Sequence, residues 1–381
     1  MRHLRCFIFL TVRTRVTCFW PFNITFSLPP YRFQYLVNSI MYKEDFNAYV
    51  GSKSGVFKGV QISKKACITK NLQSLVSITD GHQMTQMAWG DNNEKEILLA
   101  CGKNEIQSVR TYDTENLAFT STFHCDVGSG GINGISRCDS GVLTAVESGH
   151  VTLWTFSNGG QLVVNAGENL HRMKHDKTNK NIIATGGLEH ELKLFDLETQ
   201  KQTFVAKNVP HDWLQLRVPV SISDIEFLPN STKVVTVGKF GHIRLYDPTS
   251  QRRPVINLEI KETALTCLAT CGRERHIIVG SGRGTLNLID LRNAGRVLNS
   301  YKGCTGGITA IVCSNSEPVV VSSSLDRHLR IHHLETKELL RQVYLTSKLT
   351  CMVVRSNFGL EENDTFHENA NKNEDIIDTW A

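Results

Sequence analysis

Gly280-Ser-Gly-Arg-Gly284 is the stretch most like a phosphate cradle. A phosphate loop needs a helix behind it, so that free backbone N–H groups and the helix dipole meet the anion. Here the alternating pattern Thr285-Leu-Asn-Leu-Ile289 follows, so the glycines are expected to form a turn between strands. His171 and His175 stand four apart, but Arg172, Lys174, Lys177 and Lys180 surround them and no Glu takes the zinc-protease position. Cys267 and Cys271 are also four apart, without a second ligand pair. No Gly-x-Ser-x-Gly elbow occurs, and no two carboxylates stand out as an acid–base pair. No catalytic residue, metal ligand or cofactor is assigned, and the chain is expected not to be an enzyme.

Three other groups suit recognition. Residues 208–220 read Asn-Val-Pro-His-Asp-Trp-Leu-Gln-Leu-Arg-Val-Pro-Val and offer Trp213, Leu214 and Leu216 beside Asp212 and Arg217. Aromatic and Arg anchors dominate interface energetics, truncation of one typically costing about 2 kcal/mol or more. Trp213 packing over a sheet edge is the competing expectation. Arg252 and Arg253 in Gln251-Arg-Arg-Pro254 suit phosphate or carboxylate recognition, or else a solvated loop. In Leu325-Asp-Arg-His-Leu-Arg330, Asp326 is expected to be structural, with Arg327 and Arg330 turned outward.

The elements that must carry these groups recur. An apolar run, small residues, a polar turn and an alternating segment repeat from Ala48 onward, in seven copies. The closing position, often Asp, falls at 113, 155, 196, 247, 290 and 333, in steps of 42, 41, 51, 43 and 43. A period of about 40–45 with short β-branched runs is the mark of a β-propeller. A four-stranded unit cannot bury both faces alone, so units stack until the ring closes. Ile182/Ile183 and Val234/Val235 are expected between blades, and Gly102, Gly186, Gly238 and Gly280 to allow close approach near the axis. The units resemble WD repeats, so the predicted fold is all-β, a seven-bladed WD-repeat β-propeller. Its repeats are degenerate: Gly81-His82 is taken as the family's Gly-His pair, which makes His82 structural, and Asp326 is the clear turn Asp. The long step of 51 residues places 208–220 as an elaboration between the fourth and fifth blades.

The chain has 381 residues, 40% hydrophobic and 21% charged, an ordinary soluble composition. Eleven cysteines without a CxxC pair, most in apolar runs, read as small buried hydrophobes in a reducing compartment. Residues 1–40 hold five Arg and no acid, and their apolar runs are broken too early for a membrane span. They are expected to be an N-terminal extension ahead of a native start at Met41. The propeller is expected over 41–358 and a disordered acidic tail over 359–381. Between Lys239 and Lys302, eleven Lys/Arg face five Asp/Glu, which suits an acidic partner such as RNA.

The strings Lys207-Asn-Val-Pro-His-Asp-Trp-Leu-Gln-Leu-Arg-Val-Pro219, Asp224-Ile-Glu-Phe-Leu-Pro229, Gln251-Arg-Arg-Pro-Val255 and Leu325-Asp-Arg-His-Leu-Arg-Ile-His332 resemble those of a family of nucleolar WD-repeat ribosome-assembly factors. The similarity runs over about 48–354. It implies a non-catalytic scaffold in maturation of the large (60S) ribosomal subunit precursor and pre-rRNA processing, in the nucleus and nucleolus. It also implies pre-ribosomal proteins or rRNA as partners, release by a nuclear AAA ATPase related to valosin-containing protein, and contact with the exosome-associated RNA helicase. No membrane and no small-molecule substrate are expected. The family carries a lysine-rich C-terminal tail, whereas residues 361–381 here are acidic and Asn-rich. The alternative is a substrate receptor of a ubiquitin ligase or another interaction adaptor. Ile289-Asp-Leu-Arg292 partly resembles the receptors' strand-end motif, without the aromatic before the Asp.

Overall fold

The computed structural model describes residues 46–360 except 65, 79–81, 103–106, 156–158, 274 and 293–295. The extension over 1–40, the start at Met41 and most of the acidic tail lie outside the described residues. Those described form seven four-stranded antiparallel sheets, each a blade. Six blades are consecutive in sequence. The seventh is composite: Leu349–Val354 is its innermost strand and pairs with Ala48–Ser52, in register from Ala48↔Val354. That composite sheet is blade 1 here, and blades 2 to 7 follow in chain order.

The repeat visible in the sequence is the second and third strand of each blade, such as Glu96–Cys101 with Ser108–Asp113 in blade 2. The closing Asp caps the turn that follows. Oδ1 of Asp113, Asp196, Asp247 and Asp290 accepts the N–H of Glu115, Glu198, Thr249 and Arg292 at 2.7, 3.0, 3.1 and 2.9 Å. In blade 7 the imidazole Nδ1 of His333 accepts from Glu335 and Thr336 instead, at 3.2 Å. The position wants an acceptor, and Asp is one way to supply it.

The core lies between blades. Seven apolar clusters each join neighbouring blades around the ring. Successive residues of a strand point to opposite faces. Ile182 accordingly packs toward blade 5 and Ile183 toward blade 3, while Val234 faces blade 4 and Val235 faces blade 6. Full burial of one such side chain contributes about 1.5–3 kcal/mol. Gly186 and Gly280 do allow close approach, but to the next blade. A Cβ on Gly186 would lie 2.8 Å from Ile222, and one on Gly280 3.0 Å from Ile308.

One boundary moves. Phe358 and Leu360 are buried in the cluster that joins blades 7 and 1, and the Leu360 N–H donates to Glu317 Oε2 at 3.0 Å. Residues 359 and 360, assigned to the tail, belong to the folded body: Leu360 packs among apolar side chains of the ring and Gly359 lies against Glu317.

Candidate partner-binding surfaces

In antiparallel blades, the turn between second and third strands and the loop leading to the next blade share one face, called upper here. The insert, residues 206–221, leaves the outer strand of blade 4, Lys201–Val205, and enters the innermost strand of blade 5, Ile222–Phe227. Its root is anchored by Asn208, whose Nδ2 donates to Val218 O at 2.7 Å and whose Oδ1 accepts from Arg244 Nη1 at 3.2 Å. Its return is tied to blade 4, where Glu189 N–H donates to Val220 O at 2.9 Å and Leu188 bridges Ser221.

The tip is shaped by Asp212. Its Oδ1 accepts the N–H of Leu214 at 2.9 Å and of Leu216 at 2.8 Å, and Asp212 N–H donates to Leu216 O at 3.0 Å. Gln215 takes φ 62, which tightens the loop. The consequence is display: Trp213 is 87% exposed, with Leu214 and Leu216 also exposed. Trp213 therefore does not pack over a blade edge. Asp212, expected among the contacts, has its carboxylate engaged by the loop's own amides and acts on the site through them. Arg217 Nη2 lies 2.9 Å from Glu189 Oε2, both side chains partly exposed.

Arg252 and Arg253 begin the outer strand of blade 5, Gln251–Glu259, so they sit in a strand. Arg252 Nε donates to Val205 O at 2.9 Å, and Arg252 O accepts from Lys207 N at 2.9 Å. This clamps the insert's root to blade 5. Arg253 is exposed.

The third group divides. Arg330, expected to face outward, is 3% exposed. Its Nη1 lies 2.8 Å from Asp326 Oδ2 and donates to Ser324 Oγ at 3.1 Å. It alternates inward on its strand, His328–His333, and cannot reach a partner. Asp326 also accepts from Thr305 N at 3.2 Å and His328 N at 3.1 Å. Burial would raise its pKa, but these hydrogen bonds with Ser324 and Arg330 hold it well below the usual carboxylate range. Arg327 is exposed at the turn tip with φ 70, and its Nη1 donates to Tyr344 Oη at 3.3 Å. The matching turn position is Gly55, Gly149, Gly241 and Gly284 in other blades. His82, half-buried, backs onto the Gly55 turn; Gly81 lies outside the described residues. The insert with Arg252 and Arg253 thus forms one surface at blades 4 and 5. Arg327 is separate, on blade 7.

The axis was not legible as a site. A cavity of about 1140 Å³ is lined by the innermost strands and runs to the lower rim. Its walls are charged as well as apolar. Arg172 Nε lies 2.7 Å from Asp224 Oδ1, and Lys174 Nζ 2.6 Å from Glu226 Oε2. The signal was present: Leu170-His-Arg-Met-Lys and Ile222-Ser-Asp-Ile-Glu carry opposite charges at matching third and fifth positions. On three other seams the link is neutral. Thr350 Oγ1 donates to Met84 O, Thr85 Oγ1 to Ile132 O and Thr266 Oγ1 to Ile308 O, at 2.8, 2.7 and 2.6 Å. Burial pushes the Cys101 thiol up to about 11 and those of Cys267 and Cys351 to about 12, so these stay protonated. Arg292 folds back, its Nε donating to Asp290 Oδ1 at 3.2 Å.

A closed ring of seven four-stranded blades with display loops on its rim defines a WD-repeat β-propeller. Residues 295–333 match the family described as WD domain, G-beta repeat. WD repeat-containing protein 74 of Homo sapiens is 34% identical over 340 residues, covering 86% of this chain and 85% of that protein. The same-named protein of Bos taurus is 35% identical over 334 residues, covering 86% and 85%. The chain belongs to the WD repeat-containing protein 74 family. Ribosome biogenesis protein NSA1 of Meyerozyma guilliermondii is 30% identical over 202 residues, covering 44% of this chain and 50% of that protein. The solved structure of the computationally designed Ika8 protein matches with TM-score 0.57 at 16% identity, covering 81% of this chain and 87% of that one, a likeness of fold alone.

Proposed function

We propose that this chain is a non-catalytic scaffold of ribosome biogenesis that acts on the large-subunit precursor and in pre-rRNA processing in the nucleolus. The observation that carries the reading is the insert: a rigidly anchored loop that holds Trp213, Leu214 and Leu216 in solvent. An exposed apolar cluster on a rigid frame is disposed to bury itself in a partner. The partner class comes from the relatives, among them a protein named for ribosome biogenesis. Pre-ribosomal proteins meet the insert, Arg217 and Arg253. A nuclear AAA ATPase related to valosin-containing protein releases the scaffold, and the exosome-associated RNA helicase is recruited to it. The test is sedimentation of a tagged full chain in nuclear extract, followed by identification of what travels with it. Migration with large-subunit precursors supports the reading. Recovery solely as free protein, with no pre-ribosomal proteins attached, sinks it.

A further inference from the structure

The charges of the upper face are sorted by blade. On blade 5, Lys239 in the turn between second and third strands and Lys261 in the following loop are exposed, and Ile260 N donates to Gly241 O at 2.9 Å to pack turn on loop. Blade 6 repeats the pair with Arg283 and Lys302, its Gly284 turn set against the carbonyl of Cys304. Blade 7 repeats it with Arg327 and Lys348, Leu345 N donating to Arg327 O at 2.8 Å. Lys53 of blade 1 extends the arc, its N–H donating to Lys348 O at 2.9 Å. Among the described residues none of these seven cations has a carboxylate in ion-pair range. The acids beside them are Glu259 and Glu262, and Asp326, which Arg330 engages. The same face over blades 2 to 4 is net acidic, with Asp126, Glu147, Glu168 and Glu189 exposed; the cations in its described turns and loops are Lys207 and Arg217 of the insert, the latter paired with Glu189.

We propose that the arc from blade 5 through blades 6 and 7 to blade 1 binds the phosphate backbone of single-stranded RNA. Two cations without an ion pair on each of blades 5, 6 and 7, and one on blade 1, match a ligand with charge at regular intervals, since each neutralised phosphate releases counterions and adds affinity. Two exposed aromatic rings stand among the cations: Phe240 follows Lys239, and Tyr344 accepts from Arg327. Flat rings beside cations suit unstacked bases, whereas an acidic peptide offers them nothing to stack on. The acidic arc repels a polyanion and confines it to the basic side. The inference rests on the scaffold reading for its biological setting alone.

The test uses the purified full chain and a fluorescent oligouridine, with binding read by anisotropy across a salt series. Binding is expected, with affinity falling steeply as salt rises. The variant Lys239→Glu, Arg283→Glu, Arg327→Glu, Lys348→Glu is expected to lose affinity by about tenfold or more. A variant with the same change of net charge on the lower rim, Lys64→Glu, Lys177→Glu, Lys201→Glu, Lys337→Glu, is expected to bind as the parent does. Phe240→Ala is expected to weaken oligouridine and leave oligoglutamate unaffected. The four-Gln counterpart of the first variant repeats the test should the reversals unfold the chain, as circular dichroism would show. No binding of oligouridine, equal losses in the two charge variants, or oligoglutamate binding as tightly as oligouridine each overturns the proposal. Because the ligand is free RNA, these outcomes are independent of whether the chain sediments with pre-ribosomal particles.

Discussion

Arg172 of blade 4 and Asp224 of blade 5 meet at 2.7 Å on the wall of the axial cavity. The second carboxylate oxygen of Asp224 accepts the N–H of Leu268 in blade 6 at 2.9 Å, so one side chain couples three blades. Asp224 is buried while Arg172 keeps partial contact with solvent. Removing one partner of a buried pair leaves an uncompensated charge and an unsatisfied amide. Asp224→Ala is expected to destabilise the ring by about 3 kcal/mol in urea unfolding. Asp224→Asn, which keeps an acceptor for Leu268, is expected to lose less. An alanine variant with the parent's midpoint would show that the axial pair contributes nothing net.

Trp213 separates folding from recognition. A side chain so exposed contributes little to stability, and such surface substitutions stay within about 0.5 kcal/mol. Trp213→Ala should therefore melt like the parent while association with the pre-ribosomal particle drops. A variant that unfolds would return Trp213 to a packing role.

Arg327 holds a left-handed backbone where other blades use glycine. For an L-residue that conformation costs about 1–2 kcal/mol, partly offset by the chain entropy that glycine adds to the unfolded state. Arg327→Gly should raise stability by roughly 0.5–1 kcal/mol, since the hydrogen bond it gives up is exposed. The cationic side chain is thus kept against local backbone preference, which points to use at the surface. A drop in the melting temperature of Arg327→Gly would refute this account.

Acid should unfold the ring in two stages. Burial lowers the pKa of His190, His242 and His332. In the unfolded chain these imidazoles take protons near pH 6.5, while the folded ones still refuse them. Stability is therefore full above about pH 6.5 and falls as pH drops through that value toward the lowered folded pKa values. Asp326 adds the second stage. Its depressed carboxyl stabilises the fold above the ordinary Asp pKa of about 3.9, and that contribution is lost as pH falls further. Melting curves from pH 8 to 3 should show both stages, with His332→Gln shrinking the first and Asp326→Asn the second.

Period and pattern made the ring legible because the second and third strands of each blade are apolar on both faces. Ile182-Ile-Ala and Val234-Val-Thr show this directly. The innermost strands were harder to read, since one face lines a wet cavity and carries Arg172, Lys174, Asp224 and Glu226 among apolar residues. The insert was legible by length, as the one long step. Its exposure was not, because the same Trp-Leu-x-Leu string would serve equally to cover an edge. Arg330 was misread for a related reason: in His-Leu-Arg-Ile-His the sequence does not say that an inward Arg has Asp326 to meet.

The pairing of Ala48 with Val354 joins residues about three hundred positions apart. Until the last strand is made, the second strand of blade 1 has a bare edge, ready to pair with another chain. Such distant partners also make for slow folding, since the loop-closure entropy must be met before the contact forms. During synthesis, then, most blades can form while the ring stays open, and the finished platform exists only in chains translated through Val354. A product cut short before Leu349 is expected to aggregate through that edge, so an incomplete copy would be removed before it could occupy a place in an assembly.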